Sequence, residues 1–336
     1  LKRWQLWVGL LISAVFLWSA LRGLRLRDVW QEMIAADYIW LVPSVATYFV
    51  AVWARTWRWD YMLRPLKHIP VRRLFPVVVI GYMGNNVYPL RAGEVLRSYV
   101  LQRQEEVPMS ASLATVIVER VFDGLVMLLF VFVALPFAPA PGDGTRALVT
   151  IASVAFFIAL LFFFALAAMP QQALRLVTRL TTWPVALPER YRQRIVDIAG
   201  RFLFGLESLR HFRNVLMIFV TSVVIWLLET VKYWFVMQAF PFEVSFFALM
   251  LMNGIVNLFT TLPSAPGYVG TFDTPGIAVL VGYGVVPRVA TAYTLVLHAA
   301  LWLPVTLLGA FYMVRAGLGW SVFSQARRVA ERNAAA

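Results

Sequence analysis

Residues 85–101 read NNVYPLRAGEVLRSYVL, and they interrupt an apolar run that starts at Leu74. The 15 residues from Leu74 to Tyr88 are too few to cross a bilayer as a helix, which takes about 20. Pro89 and Gly93 break the run, and Arg91, Glu94 and Arg97 then carry charge into a new, polar helix that continues to Glu106. Such a break frees backbone amides and carbonyls that hydrocarbon cannot satisfy. It is tolerated only inside protein or beside a wet cavity.

A second stretch repeats the pattern. The apolar run 245–262 ends in Pro263, Pro266, Gly267 and Gly270, and 272–281 resumes it. Asn86, Pro89, Gly93 and Glu94 correspond in order to Asn257, Pro263, Gly267 and Asp273, with Pro and Gly four residues apart in both. The first break leaves a basic loop and must return to the same side; the second does so from the opposite side. The pair therefore predicts two re-entrant hairpins of opposite sense, the pattern of transporters built from inverted repeats around a midplane site.

Composition agrees with a membrane setting. The chain has 336 residues, 61% hydrophobic and 14% charged, against roughly 25% charged in soluble domains. The absence of Cys excludes iron–sulfur, Cys-ligated zinc and disulfide scaffolds. The net charge of +13 sits in short segments between apolar runs, as on a cytoplasmic membrane face, so no nucleic-acid partner is expected.

Six full spans are predicted, at 4–21, 38–57, 110–135, 147–169, 215–240 and 287–314. The first is read as retained, because no small-residue cleavage site precedes Arg22. Arg58, Arg64, Lys67, Arg72 and Arg73 mark a cytoplasmic loop, the turn-rich PFAPAPGDGT an external one, and the Arg-rich 171–213 a cytoplasmic linker. Within that linker Tyr191, Ile195, Ile198, Phe202, Leu206 and Leu209 fall at amphipathic helical spacing, suited to an anionic leaflet or to a connector packed under the bundle. The expected fold is thus an all-α polytopic membrane protein, one integral domain over 1–336 with halves 1–169 and 214–336. Both termini are placed in the cytoplasm and the protein in a bacterial inner membrane.

Three charges stand inside the third span. Glu119 and Asp123 share a helix face, with Arg120 one residue around. Each costs roughly 3 kcal/mol or more in lipid on insertion scales, so they should face protein or water, as a polar site or as an ion-pair cluster fixing the hairpin. Glu229 and Lys232 are three apart and can pair with each other, although Lys232 could also face an anionic substrate. His298 is read as a hydrogen-bonded packing residue. Arg91 and Arg97, with free amides near Gly93, would suit a phosphate oxygen; at the second break Tyr268 and Thr271 offer hydroxyls. Together these point to an amphiphile with an anionic head. No phosphate loop, nucleophile elbow or HExxH motif is present, so no ATPase, cofactor or metal is expected. Acid–base work by Glu119 and Asp123 is the enzymatic alternative.

The string NNVYPLRAGEVLRSYVL, the later ERVFDG and PSAPGYVGTFD resemble the lysylphosphatidylglycerol synthase transmembrane-domain family, the flippase-like part of the multiple peptide resistance factor proteins. The resemblance covers essentially the whole chain. It implies a bundle with re-entrant helices that moves phospholipids, aminoacyl phospholipids or glycolipids between leaflets. The family pattern falls on Asn86, Pro89, Arg91, Gly93, Glu94 and Arg97, on Glu119, Arg120 and Asp123, and on Pro263, Pro266, Gly267, Gly270 and Asp273. Asp273 stands where Glu is expected and Tyr268 where Gly is expected. No soluble aminoacyl-transfer domain is expected after the last span, so no transferase activity is carried over. The expected function is lipid translocation with membrane lipids as partners; a homo-oligomer or a separate lipid-synthesising enzyme is a further possible partner. The alternatives are an accessory subunit of a lipid-modifying system and an intramembrane transferase or hydrolase.

Overall fold

A computed structural model describes residues 3–88, 91–138, 212–262 and 264–319, with isolated positions between 147 and 196. Pro89, Pro263, the span at 147–169, the 171–213 linker and the tail beyond Leu318 and Gly319 lie largely or wholly outside the described residues.

The described elements are helical. A first helix, α1 (Arg3–Leu21), is followed by a short amphipathic α2 (Leu26–Ala35) and a single turn at Tyr38–Trp40. The order then runs α3 (Leu41–Leu63), α4 (Val71–Val87), α5 (Ala92–Glu105) and α6 (Met109–Ala134). It repeats as α7 (Phe212–Met237), α8 (Phe246–Phe259), α9 (Asp273–Gly282) and α10 (Pro287–Arg315). In each set two short helices joined by a break lie between two long ones.

Three segments among the described residues are long and apolar enough to cross a membrane: Tyr38–Leu63, Arg213–Met237 and Pro287–Arg315. Helix α6 matches them with 26 residues but carries Glu119, Arg120 and Asp123 in its middle. Large apolar side chains on the outside, among them Val50, Ile117, Phe132, Val220, Leu307 and Phe311, are exposed. That surface suits lipid tails rather than water.

Helices α4 and α5 form a tight antiparallel hairpin. A Cβ at Gly81 would come within 2.9 Å of Arg97 Cβ, and one at Gly84 within 2.7 Å of Gly93 Cα, so residue numbers rise on one helix as they fall on the other. A Cβ on Gly93 would overlap the Gly81 carbonyl oxygen and crowd the Asn85 amide. Only glycine permits this crossing.

Two apolar cores stack along the bundle. One gathers Val126 and Phe130 of α6, Trp226 and Tyr233 of α7, much of α8 and α9, and α10 as far as Leu297. The other gathers the later part of α3, α4, α5, Phe122 of α6, Ile218 of α7 and Val305 of α10. Polar side chains collect where the two meet, at Asp123, Ser222 and His298.

Candidate functional site

The cation that balances the α6 carboxylates comes from α3. Arg58 is fully buried; its Nη1 donates to Asp123 Oδ1 at 2.6 Å and to Ser222 Oγ at 2.7 Å, and its Nη2 lies 3.2 Å from Glu119 Oε1. The sequence places Arg58 in a cytoplasmic loop after a span ending near Trp57. The structure corrects this, because α3 continues to Leu63 and turns Arg58 inward.

Arg97 donates to Glu119 Oε2 at 2.7 Å and lies over the Trp59 ring at 4.8 Å. Arg120 donates to Glu119 Oε1 at 2.9 Å and approaches Asp123 Oδ2 at 3.5 Å and Glu94 Oε1 at 3.6 Å. Trp226 Nε1 also donates to Asp123. Arg97 is thus held by Glu119 and is not free to form the phosphate fork with Arg91 that the sequence suggests. Both α6 carboxylates are engaged by guanidiniums.

A second ion network lies between α3 and α7. Lys232 and Glu229 pair directly, as their spacing predicts, and Arg55 Nη2 joins Glu229 Oε1 at 3.0 Å. Aromatic faces complete the cations' surroundings: Lys232 Nζ is 4.4 Å from the Tyr48 ring centroid, and Arg55 lies 5.4 Å from Trp226 and 5.7 Å from Tyr82. Such faces attract a desolvated cation through the ring quadrupole. Arg55 and Tyr48 are absent from the sequence-derived site. The signal available for them was the continuing helical stripe Tyr48, Val52, Arg55 and Trp59.

The two breaks meet across α10. Arg91 and Tyr268 both adopt left-handed backbone (φ 52° and 62°), unusual for residues with a side chain. The Arg91 guanidinium lies 6.0 Å from the Tyr268 ring centroid, and its Nη2 donates to the Thr260 carbonyl at 3.3 Å. Trp302 Nε1 donates to the Asn86 carbonyl at 3.3 Å, while Asn86 Nδ2 donates to Thr306 Oγ1 at 2.8 Å.

Three details revise the expected anion cradle. Gly93 packs against the α4 backbone and serves the helix crossing. At the second break the Gly270 amide donates to Asp273 Oδ2 at 2.8 Å, so the protein's own carboxylate fills that position. Thr271 is buried and donates to the Tyr268 carbonyl. His298 bridges Asp273 Oδ1 at 2.8 Å and the Gly267 carbonyl at 2.7 Å, which ties α10 to the break near Pro266.

A cavity of about 160 Å³ opens between the breaks, lined by Arg55, Arg91, Arg120, Glu229, Lys232 and Tyr268 with several aromatic and amide neighbours. Adjoining it, a cavity of about 350 Å³ runs between α6 and α8, past Met127, Leu128, Val131, Ile255 and Leu258. Arg91, Arg120, Trp226 and Asn257 line both. Asn86 and Gly267 line the polar cavity, whereas Glu94, Arg97, Thr271 and Asp273 do not. Among the described residues no cluster of His, Asp and Glu could hold a metal ion.

Fold and site together define a helical membrane protein with a charged chamber opening into an apolar groove. The model of the lysylphosphatidylglycerol synthase TM region matches residues 6–309, and the chain belongs to that family. It is 25% identical over 288 residues to a UPF0104 membrane protein of Methanothermobacter thermautotrophicus, covering 80% of this chain and 83% of that one. UPF0104 membrane protein MJ1595 of Methanocaldococcus jannaschii is 22% identical over 313 residues, 91% of this chain and 93% of its own. Glycosyltransferase AglD of Haloferax volcanii is 26% identical over 302 residues, 80% of this chain but 47% of AglD. These three relatives are archaeal, so they support a membrane location without restricting it to bacteria. No solved structure matches the chain.

Proposed function

We propose that the protein is a lipid translocase, moving an amphiphile with an anionic head between leaflets by rearrangement of two inverted halves around the central chamber. The observation that carries this reading is the junction of the charged cavity with the apolar groove at Arg91 and Arg120. A head group and the start of an acyl or prenyl chain need that pair of environments side by side. The repeated order of long, short, short and long helices in α3–α6 and α7–α10 supports the inverted halves. Opposed re-entrant hairpins then account for the breaks, and with the span expected at 147–169 the bundle would have six spans.

The side assignments draw support from contacts. Glu32 and Arg288, both expected outside, pair at 2.8 Å, and the external Tyr283 donates to Ala138 O. Lys67 and Glu105, both expected in the cytoplasm, pair at 3.0 Å. Engagement of Glu119 and Asp123 by arginines weighs against acid–base catalysis by them. A second reading, an accessory subunit of a lipid-glycosylating system, is favoured by the match to less than half of AglD. Reconstitution into liposomes tests the proposal: leaflet exchange of a fluorescent anionic phospholipid should exceed that of empty vesicles. Exchange no faster than in empty vesicles would refute it.

A further inference from the structure

Among the described residues, the two ion networks at the chamber are each out of balance by one charge, and in the same direction. In the first, Arg58, Arg91, Arg97 and Arg120 stand against Glu94, Glu119 and Asp123, four guanidiniums to three carboxylates. In the second, Arg55 and Lys232 stand against Glu229 alone. Arg91 and Arg120 of the first network and all three members of the second line one cavity.

The pair at the second break does not offset this excess. His298 faces an acceptor at each ring nitrogen, the Gly267 carbonyl and the Asp273 carboxyl. The carbonyl only accepts, so Nε2 carries a proton. The second pair of atoms shares one more proton, whichever side holds it, so His298 and Asp273 together contribute no net charge. Asp60 belongs elsewhere, paired with Arg64 and His68, whose side chains are exposed.

Donors are left over as well as charge. The Nε–H groups of Arg55 and Arg91 are buried and have no hydrogen-bond partner, whereas that of Arg120 faces Glu94 Oε1 at 3.6 Å. An uncompensated cation in a chamber of low dielectric is penalised by lost hydration, which a bound anion would offset.

We infer that the chamber takes a head group carrying two negative charges, a terminal phosphate or a diphosphate, in preference to the single charge of a phosphodiester. This rests on the lipid-translocase reading and names its substrate class. The small volume favours two charges on one group, and forked guanidiniums suit phosphate oxygens. The groove beside it would receive the chain; inorganic phosphate would meet the same chamber without using the groove.

The test is binding by the purified full chain in detergent, followed by the fluorescence of its tryptophans, since Trp226 and Trp302 line the chamber. Near pH 7 a phosphomonoester is already mostly doubly ionised, its second pKa being about 6. Dihexanoyl phosphatidic acid should then bind about tenfold more tightly than dihexanoyl phosphatidylglycerol, as one extra opposite charge in a partly buried site implies. In Lys232→Met that preference should fall to about threefold or less, while Lys232→Arg should keep it. Equal affinity for the two lipids in the wild type, or tighter binding of phosphatidylglycerol, would overturn the inference even if Lys232→Met does not fold. Inorganic phosphate competing as well as phosphatidic acid would assign the site to free phosphate instead and overturn the lipid source. Exchange assays report separately: a lipid preference without leaflet exchange counts against translocation alone, and leaflet exchange without the preference against the head-group class alone.

Discussion

Arg58 on α3 and Asp123 on α6 meet at 2.6 Å, the arginine fully buried and the aspartate 2% exposed. The contact joins residues 65 positions apart and makes α3 the source of the charge that lets α6 carry two carboxylates through an apolar bundle. Removing it leaves Glu119 and Asp123 short of a partner. Arg58→Met should lower stability by about 3–5 kcal/mol, read as loss of the monodisperse peak in size-exclusion chromatography or a reduced Tm in detergent. Adding Asp123→Leu should restore part of the loss, because the carboxylate that lost its nearest guanidinium is removed with it. An unchanged Tm in Arg58→Met would show that the network contributes nothing to folding.

Gly93 and Gly254 predict opposite tolerance to one methyl group. At Gly93 a Cβ would overlap the Gly81 carbonyl, whereas at Gly254 it would meet Val131 Cγ2 at 3.3 Å, a contact that a shift of a few tenths of an ångström into the adjoining groove relieves. Gly93→Ala should therefore cost about 1–3 kcal/mol or more by overpacking, and Gly254→Ala about 1 kcal/mol or less. Thermal unfolding of both variants in one detergent checks the difference. Equal Tm values would mean that α4 and α5 do not cross on Gly93.

These residues also show what the sequence made legible. Both breaks could be read, because Pro89, Gly93, Pro266 and Gly267 interrupt runs too short to span a bilayer. So could the charged set on α6, because Glu119, Arg120 and Asp123 stand in a span where water is absent. The partners could not be read. Which cation compensates a carboxylate depends on helices packing at long separation, and periodicity holds no record of it. Arg58 sits one residue beyond the expected span, close to Asp60 and Arg64, and its neighbours make it read as loop charge. Thr271 reads as a hydroxyl donor at the second break and Asp273 as the counterpart of Glu94; the backbone groups they engage, the Tyr268 carbonyl and the Gly270 amide, are not visible in the sequence.

The side assignments lead to a labelling prediction on a chain that contains no cysteine. Arg72 precedes most of α4 and Glu243 lies between α7 and α8, and both are exposed. In cells, Glu243→Cys should react with a membrane-impermeant maleimide from outside, and Arg72→Cys should react only after permeabilisation. The reverse pattern would invert the topology; labelling of both from outside would mean an even number of crossings between them rather than the three expected.

On the translocase reading an amphiphile's head passes the chamber between the two breaks, where Arg91 lines both the polar cavity and the groove. Arg91 is partly exposed and touches Glu94 only at 3.9 Å, so Arg91→Gln should fold with a Tm close to the wild type. The most direct measurement is leaflet exchange of a fluorescent anionic phospholipid in liposomes holding equal amounts of wild type or Arg91→Gln. The wild type should exceed empty vesicles and the variant should be slower by about tenfold, the cost of one lost charge-assisted contact. Equal rates for the two proteins would contradict a lipid path through this chamber.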